Sequence, residues 1–282
     1  MSENMKYNLR PFLKWAGGKR QVIEELVCRL PAKFNNFYEP FVGAGALFLA
    51  LERNKAVIGD VNSDLIDSYK TIKSNPLELL SELDIMNEKH MQEGKEYYLH
   101  VRSLDRNSKW QNESSLKKAA RLMYLNKYCF NGLYRVNSKN QFNVPFNGKK
   151  LVNLYSRENI ISLSKYLSEN KVEILCEDFE VICKNAKKGD LIYFDPPYDV
   201  LKKDTFDSYN EKGFGVAGQE RLFKLYKELD LRGCYVMLSN HNTPLIKELY
   251  KEYVIDIINA RRNINSQADK RGNIEEVIIR NY

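Results

Sequence analysis

A carboxylate, two prolines and an aromatic ring follow one another at Asp195-Pro196-Pro197-Tyr198, directly after the apolar run Leu-Ile-Tyr-Phe at 191–194. Because proline fixes φ and lacks the N–H that a sheet ladder needs, the predicted strand ends here and the backbone stiffens. Pro196 also holds Asp195 in an extended conformation. The turn could bind the amino group of a planar molecule through its oxygen atoms, with the tyrosine ring stacked on its face. The alternative is a strand end with a buried tyrosine.

A glycine turn, Gly43-Ala44-Gly45, follows a predicted strand at 37–41 and opens a predicted helix. Glycine lets the backbone approach a bound cofactor closely. Asp60 ends a second predicted strand, where a carboxylate can accept hydrogen bonds from ribose hydroxyls. Phe48 stands where a dinucleotide-binding fingerprint needs its third glycine, and the chain has no P-loop motif, so neither site is supported. A structural turn followed by a helix cap is the alternative.

A second glycine turn contains Trp15, Gly17, Gly18 and Lys19 and is flanked by further cations. Tryptophan and lysine beside paired glycines suit the binding of an anion or a zwitterion. The alternative is a helix lead-in with a packed tryptophan.

Acidic residues follow three predicted strands, at Asp60, Asp178 and Asp195. Open parallel sheets bind ligands outside the carboxyl ends of their strands, so these residues and the Gly43 turn are predicted to converge on one crevice. Packing alone does not explain three carboxylates at one sheet edge. The pattern therefore predicts a nucleoside-binding active site.

Strands alternate with helices in the first and last parts of the chain, which predicts an α/β fold with a largely parallel sheet covered on both faces. The last two strands lack a clear helix between them, so we expect an antiparallel hairpin at one sheet edge. Asn62 or Ser63 is the predicted cap of the helix after the second strand. Strands are predicted at 37–41, 56–60, 172–175, 191–194, 234–238, 254–258 and 277–279, and helices at 46–53, 219–229 and 244–253.

The middle of the chain has a different character. Residues 75–121 are polar, charged and helical in pattern, and the stretch 129–146, with Asn131-Gly132 and an alternating run at 141–144, predicts a hairpin. Arg and Lys but no Asp or Glu lie between Arg121 and Lys150, interleaved with Tyr, Phe and Asn. This mixture suits contacts with phosphates and bases, and a solvated basic face is the alternative.

Composition excludes several classes of protein. The 282 residues are 43% hydrophobic and 29% charged, as expected for one large globular α/β domain or a domain with a sizeable insertion. No apolar run has the length of a membrane span and residues 1–6 contain no signal-peptide core, so we expect a cytoplasmic location. The five cysteines and three histidines lack the spacing of a disulfide framework or a zinc site. The formal charge of +7 is compatible with a polyanionic partner.

Six blocks of this chain, in order, resemble the Dam-type DNA adenine methyltransferases, the α-group of amino-methyltransferases that typically modify GATC. The similarity covers nearly the whole chain and is weakest at 75–113. The matching blocks are 12–19, 39–45, 130–135, 142–146, 195–198 and 238–243.

This resemblance implies a Rossmann-like, S-adenosyl-L-methionine-dependent methyltransferase sheet with an inserted helical DNA-recognition domain that carries a β-hairpin. Residues 1–70 and 160–282 would form the catalytic domain, and residues 71–159 the target-recognition domain. The product of the cofactor would be S-adenosyl-L-homocysteine, with no metal involved. The implied cofactor-binding residues are Trp15, Ala16, Gly17, Gly18, Lys19, Phe41, Gly43, Gly45, Asp60, Asp178, Phe179 and Asp195.

The resemblance also implies double-stranded DNA as the substrate, with a monomer as the default state. Asp195, Pro196, Pro197 and Tyr198 would form the catalytic turn that holds a flipped adenine. Arg135 matches the position that reads a guanine of GATC, and the alternative is a phosphate contact. Lys14 would act as a lid between cofactor and DNA. The implied DNA-binding residues are Lys14, Asn131, Leu133, Arg135, Asn137 and Pro145.

Two other functions stay open at this point. One is methylation of another amine, such as a protein glutamine or an RNA base, although the glutamine methyltransferases normally begin this turn with Asn and lack a basic hairpin. The other is an inactive DNA-binding protein with a degenerate methyltransferase fold. A restriction nuclease is disfavoured, because no matching constellation of carboxylates and lysine occurs. The sequence leaves open whether the enzyme is a restriction partner, a solitary enzyme or phage-encoded.

Overall fold

The computed structural model describes residues 7–15, 17–19, 22–150, 155–199, 214–261 and 273–282. The chain divides into two compact units. The helical unit comprises Met1–Lys19, Gly43–Asn54 and Asn62–Cys176, and the sheet unit comprises Arg20–Val42, Lys55–Val61 and Glu177–Tyr282. The functional domains predicted from the sequence, 1–70 with 160–282 and 71–159, follow a different division and stay a prediction.

Seven strands lie within the described ranges: β1 (Phe37–Glu39), β2 (Lys55–Gly59), β3 (Lys171–Leu175), β4 (Leu191–Phe194), β5 (Tyr235–His241), β6 (Val254–Arg261) and β7 (Asn273–Arg280). They form one sheet in the order β3-β2-β1-β4-β5-β7-β6. β1 pairs in parallel with β2 and β4, and β4 pairs in parallel with β5. β7 is antiparallel to both β5 and β6.

The predicted α/β fold is confirmed, and the mixed seven-stranded sheet is consistent with a methyltransferase that uses S-adenosyl-L-methionine. All seven predicted strands are present, and β4 has the predicted bounds. β1 is shorter than predicted, since it ends before Pro40, which cannot donate to a ladder. The antiparallel hairpin of β6 and β7 is confirmed, with β7 inserted between β5 and β6.

The described α-helices are α1 (Ile23–Val27), α2 (Ala46–Leu51), α3 (Ser63–Ser74), α4 (Pro76–Glu93), α5 (Lys95–Ser103), α6 (Ser115–Tyr128), α7 (Arg157–Glu169), α8 (Phe179–Ile182), α9 (Gly215–Leu231) and α10 (Pro244–Leu249). Asn62 caps α3 as predicted, because its side chain accepts from the backbone N–H of Leu65. The predicted helical character of 75–121 is confirmed by α4, α5 and α6. Within the described ranges, no helix is long and apolar enough to cross a membrane.

Helix α7 has no counterpart in the sequence-based prediction, although its signals are present. Ser156 caps it by accepting from the backbone N–H of Asn159. Ile160, Leu163 and Leu167 are buried along one face, with the spacing of an amphipathic helix. Whether the helical segment is an inserted DNA-recognition domain stays a prediction.

Strand β4 lies at the centre of the core of the sheet unit, and all four of its residues are buried. Asp190, directly before β4, is fully buried and fixes the start of this strand. One carboxylate oxygen accepts from the backbone N–H and the side-chain amide of Asn36 at 3.0 and 2.8 Å, and the other accepts from the backbone N–H of Lys187 at 3.0 Å. Because Asn36 directly precedes β1, one carboxylate holds the starts of two neighbouring parallel strands.

Buried aromatic rings fill the helical unit, where His90 stacks on Tyr128 with ring centroids 3.6 Å apart. Arg121, the first cation of the basic stretch, is also buried. Its guanidinium lies 2.7 Å from the carboxylate of Asp105, and its Nε donates to the Val101 carbonyl at 2.9 Å. Arg121 therefore stabilises the packing of helices and does not contribute to a basic surface.

Candidate active site

The turn formed by residues 195–198, called the proline turn below, begins where β4 ends. Asp60 follows β2 at the same sheet edge as Asp195, because β2, β1 and β4 run parallel. The backbone N–H of Val42 donates to the carbonyl of Gly59 at 2.9 Å, which ties the segment after β1 to the residue before Asp60. The sheet unit thus places two of the predicted acidic residues at one edge, where parallel sheets bind ligands.

Tyr198 is held by two contacts, one to its hydroxyl and one to its ring. Its hydroxyl donates to a carboxylate oxygen of Glu276 on β7 at 3.1 Å. Its ring meets the His241 ring edge-on, with centroids 4.8 Å apart. Burial, together with the negative charges of Asp195 and Glu276, raises the pKa of Tyr198 well above its ordinary value. The phenol therefore stays protonated at physiological pH and remains a donor.

Asp199, directly after the proline turn, is bound by three neighbouring side chains. Its backbone N–H donates to Oδ1 of Asn240 at 3.0 Å, and its carbonyl lies 2.6 Å from Nδ1 of His241. The hydroxyl of Thr243 donates to its carboxylate at 2.6 Å. The end of β5 and the start of α10 therefore fix the chain that leaves the turn.

Sequence reasoning missed several residues that hold the proline turn. Gln219 on α9 donates through Nε2 to the Pro197 carbonyl at 2.9 Å, and its Oε1 accepts from Asn240 at 3.1 Å. Asn240 lies in a block that matched the methyltransferase family, but the match assigned it no role. Neither Gln219 nor Glu276 stands in a motif, so only the fold reveals them.

Three aromatic rings connect the predicted cofactor residues within the sheet unit. The Phe41 ring stacks on Phe179 with centroids 5.3 Å apart, and it meets Phe194 edge-on at 6.3 Å. Phe179 directly follows Asp178, and Phe194 directly precedes Asp195. The contacts therefore link the segment after β1, the start of α8 and the end of β4.

Asp178 caps a helix and forms an ion pair, two structural roles that were not predicted from the sequence. Its carboxylate caps α8 by accepting from the backbone N–H of Glu180 at 3.1 Å. Arg221 on α9 lies 2.8 Å from the same carboxylate and 2.9 Å from that of Glu180, and its guanidinium lies 4.8 Å from the Phe179 ring centroid. Arg221 was also missed by sequence reasoning, although it contacts two of the predicted cofactor-binding residues, Asp178 and Phe179.

The second glycine turn, with the predicted cofactor-binding residues Trp15, Gly17, Gly18 and Lys19, is a closed turn in the helical unit. Lys19 is buried, and its ammonium donates to the Gly17 carbonyl at 2.8 Å. The backbone N–H of Gly18 donates to the Trp15 carbonyl at 3.2 Å. The Trp15 ring stacks on Tyr134, with centroids 5.2 Å apart. Ala16, which was predicted to line the same site, lies outside the described residues.

Gly43 and Trp15 lie in close contact within the helical unit. Gly43 has a φ of +48°, and a Cβ placed on it would stand 2.9 Å from Cδ1 of Trp15. The carbonyl of Gly43 accepts from the buried Tyr69 hydroxyl at 3.2 Å. Gly45 also has positive φ, at 67°. Glycine is therefore favoured at both positions by the positive φ, and at Gly43 also by the lack of space beside Trp15.

Asn126 on α6 joins the segment at Lys14 to the predicted DNA-reading turn. Its Oδ1 accepts from the Lys14 backbone N–H at 2.9 Å, and its Nδ2 donates to the carbonyls of Lys14 and Gly132 at 2.8 and 2.9 Å. Gly132 has a φ of +68°, and a Cβ there would stand 2.8 Å from the Lys14 side chain. Two predicted DNA-binding segments are thus fixed on one buried amide.

The predicted hairpin is present in reduced form, as two isolated antiparallel bridges at Cys129 with Phe146 and Val136 with Phe142. Arg135 is exposed on it, and Asn143 holds its guanidinium: Nε donates to the side-chain oxygen at 2.7 Å and Nη2 to the carbonyl at 3.2 Å.

The other predicted DNA-binding residues lie on the same part of the helical unit. Asn137 closes the hairpin tip, since its side-chain oxygen accepts from the backbone N–H groups of Lys139 and Gln141, each at 3.0 Å. The Pro145 carbonyl accepts from the Phe130 backbone N–H at 2.8 Å. Asn131, with a φ of 56°, and Pro145 are exposed, whereas Leu133 is half-buried. Their contacts with DNA stay a prediction.

Metal ligands are not grouped in the part of the chain that the structure describes, where no three His, Cys, Asp or Glu side chains could hold an ion together.

We expect Gly43→Ala to lower the melting temperature more than Gly148→Ala. Both glycines have positive φ, so each alanine carries backbone strain of about 1–2 kcal/mol. A Cβ at Gly43 also meets Trp15 at 2.9 Å, whereas nothing lies within 4 Å of one at Gly148. Circular-dichroism melts compare stability, and fluorescence in a Trp110→Phe background reports on Trp15. Equal shifts with unchanged fluorescence would contradict the close contact.

Comparison with known proteins shows the family to which the chain belongs. The model of the D12 class N6 adenine-specific DNA methyltransferases matches residues 15–264. The chain is 46% identical to the Type II methyltransferase M1.LlaDCHI of Lactococcus lactis subsp. cremoris, over 98% of this chain and 97% of that protein. It is 39% identical to the Type II methyltransferase M.MjaIII of Methanocaldococcus jannaschii, over 97% and 99% of the two chains. It is 34% identical to the DNA adenine methylase of Haemophilus influenzae, over 97% and 94%. The chain belongs to the D12 class of N6 adenine-specific DNA methyltransferases.

Proposed function

We propose that this enzyme transfers a methyl group from S-adenosyl-L-methionine to the N6 amine of adenine within GATC in double-stranded DNA. The target base is flipped out of the duplex, and its amine attacks the methyl group directly in line. The observation that carries the proposal is the proline turn at the carboxyl end of β4. It offers Asp195 and backbone carbonyls as acceptors beside a Tyr198 ring that Glu276 and His241 hold in place.

The residues of the helical unit fit the methionine end of the cofactor. The backbone at Gly43 and Gly45 allows the cofactor to approach closely, because neither residue has a side chain. The buried ammonium of Lys19 and the Trp15 ring add a cation and an aromatic face. A zwitterion needs both charge and hydrogen-bonding partners, and this donor set supplies them. We assign Trp15, Gly17, Gly18, Lys19, Gly43 and Gly45 to this end.

The residues of the sheet unit fit the adenosine end. We assign Asp60, directly after β2, to the ribose hydroxyls, from which a carboxylate at a strand end can accept hydrogen bonds. Phe41 and Phe179 supply apolar faces, and Asp178 supplies an acceptor for an adenine amino group. Because Asp178 already pairs with Arg221, this contact requires Arg221 to share or release the carboxylate. The bound cofactor supplies an electrophilic methyl group on a positively charged sulfur.

The proline turn can raise the reactivity of a weak nucleophile. The lone pair of the adenine amine is delocalised into the ring, and flipping the base costs a few kcal/mol. Asp195 accepts one amine hydrogen and the Pro196 carbonyl accepts the other, which favours a pyramidal nitrogen in the transition state. Tyr198 stacks on the base. The amine loses its proton after the transfer, so alignment rather than a strong base is what the protein must supply.

Arg135 supports the assignment of a guanine in the recognition sequence. Asn143 binds the Nε side of its guanidinium, which fixes the plane of the group. The edge formed by Nη1 and Nη2 is the one that we assign to guanine O6 and N7, a contact that arginine makes in the major groove. The Type II names of two relatives also support a role in a restriction-modification system.

The experiment that tests the function measures transfer of labelled methyl from S-adenosyl-L-methionine to two duplexes that differ only in carrying GATC or GTTC. We expect label only on the GATC duplex, recovered as N6-methyladenine. Label on both duplexes would overturn the specificity and keep the chemistry. Absence of label on both, while S-adenosyl-L-homocysteine still binds, would overturn adenine methylation and favour another amine or an inactive DNA-binding protein.

Two replacements of Tyr198 should distinguish the contribution of its ring from that of its hydroxyl. Tyr198→Ala is expected to lower kcat/KM on the GATC duplex roughly 5- to 150-fold, because base stacking on an aromatic ring contributes about 1–3 kcal/mol. Tyr198→Phe keeps the ring and loses only the bond to Glu276, so we expect a smaller loss. Binding of S-adenosyl-L-homocysteine to both variants is the control. A phenylalanine variant as impaired as the alanine variant would assign the effect to the hydroxyl.

Arg135→Lys should reduce discrimination without removing charge. The ratio of kcat/KM on GATC to that on a duplex with the outer guanine replaced is expected to fall roughly 5- to 150-fold, the equivalent of about 1–3 kcal/mol for a bidentate contact. Lys139→Ala, at an exposed position on the same hairpin, is the matched control. This variant should weaken binding to all duplexes alike and lower the salt dependence of that binding. If Arg135→Lys behaves in the same uniform way, Arg135 contacts phosphate.

A further inference from the structure

We propose that Gln219 and Asn240 are positioning residues that fix the proline turn, so that Asp195 and the Pro196 carbonyl, and not the Pro197 carbonyl, receive the target amine. This inference rests on the proposed transfer to adenine N6 and adds two residues to it. Both side chains are buried, with exposed fractions of 1% for Gln219 and 0% for Asn240.

The orientation of the Asn240 amide follows from its backbone partners. One side-chain atom lies 3.0 Å from the backbone nitrogen of Asp199 and 2.9 Å from that of His241. Backbone N–H groups can only donate, so this atom must be the oxygen. The other side-chain atom is therefore the NH2 group, which is a donor.

The orientation of Gln219 follows in turn from that of Asn240. The NH2 group of Asn240 donates to Gln219 at 3.1 Å, so the atom that receives it is Oε1. The remaining Gln219 atom is Nε2, and it donates to the Pro197 carbonyl at 2.9 Å. The hydrogen bonds therefore form a series that runs from Asn240 through Gln219 to the Pro197 carbonyl. Each of the two amides in this series has one permitted orientation.

This bond directs the Pro197 carbonyl toward Gln219, which leaves the Pro196 carbonyl as the one that we assign to the amine. The ring of Pro197 fixes its φ, and the bond to Gln219 limits rotation of the peptide that follows. The Pro196 carbonyl stands one peptide earlier in the same stiff segment. Because displacements of about 1 Å at a reacting centre can cost 100-fold in rate, the donor on Gln219 bears directly on catalysis.

The placement of two amides in an apolar region also argues for a positioning role. Gln219 is on α9 with Leu222 and Leu225, and Asn240 is on β5 with Leu238, all buried. Burying an amide carries a cost unless it is hydrogen-bonded, and a pair of apolar side chains would fill this space without that cost. The amides supply directional hydrogen bonds, which apolar side chains cannot make.

The test compares the complete protein with Gln219→Met, Asn240→Asp and the double variant. Methionine keeps the length of Gln219 and removes the donor. Aspartate keeps the oxygen that accepts from Asp199 and His241, and it replaces the NH2 group that orients Gln219 with a second carboxylate oxygen. Gln92→Met, at an exposed position on α4, is the matched control. The measurements are kcat, KM for the cofactor and for a GATC duplex, affinity for S-adenosyl-L-homocysteine and the melting temperature.

We expect Gln219→Met to lower kcat about 10- to 100-fold, with both KM values and the affinity for S-adenosyl-L-homocysteine within about 3-fold of the wild type. Asn240→Asp should lower kcat as well, and the double variant should lose little more, because either change breaks the same series. Gln92→Met should match the wild type.

Three outcomes would overturn the inference. The first is a kcat of Gln219→Met equal to that of Gln92→Met, and the second is a loss of kcat in proportion to lost cofactor affinity and melting temperature. If Gln219→Met does not fold, an unchanged kcat for Asn240→Asp is the third. The wild type distinguishes failure of this inference from failure of the proposed function. If the proposed function is wrong, the wild type binds S-adenosyl-L-homocysteine but leaves adenine unmethylated.

Discussion

Two consecutive prolines after a buried strand deprive the chain of N–H donors at the place where we propose that the target base is held. In most of a protein the main chain supplies the hydrogen bonds that fix a segment, but Pro196 and Pro197 can supply only carbonyls. Side chains from α9, β5 and β7 therefore take over this task, through Gln219, Asn240 and Glu276. Each of these elements contributes to the sheet or packs in the core around β4, so the rigidity of the turn depends on the whole sheet unit.

In the helical unit, one buried side-chain amide fixes two backbone segments. Asn126 binds the backbone of Lys14 on both its N–H and its carbonyl, and it also binds the carbonyl of Gly132. Gly132 has no side chain because the space beside it is filled by Lys14. The segment leading to Trp15 and the turn leading to Arg135 are consequently mounted on a single helix, α6, rather than on loops of independent conformation.

Local signals in the sequence predicted the strands well, because prolines, glycines and apolar runs mark strand ends without reference to the rest of the fold. They predicted the acidic residues at strand ends for the same reason. Arg121 shows the limit of counting charges, since its contact with Asp105 buries a cation that the composition assigns to the surface. Gln219 and Arg221 show another limit: polar residues on a helix carry no motif, and only packing reveals that they meet the turn and Asp178.

The bond between Tyr198 and Glu276 joins residues 78 positions apart, and its acceptor lies on the strand that is inserted between β5 and β6. During synthesis on the ribosome, the proline turn emerges well before that strand. Until β7 is made, the growing chain has β5 with an unpaired edge and Tyr198 without its anchor. The sheet is therefore completed from within, because β7 is made after both of the strands between which it lies.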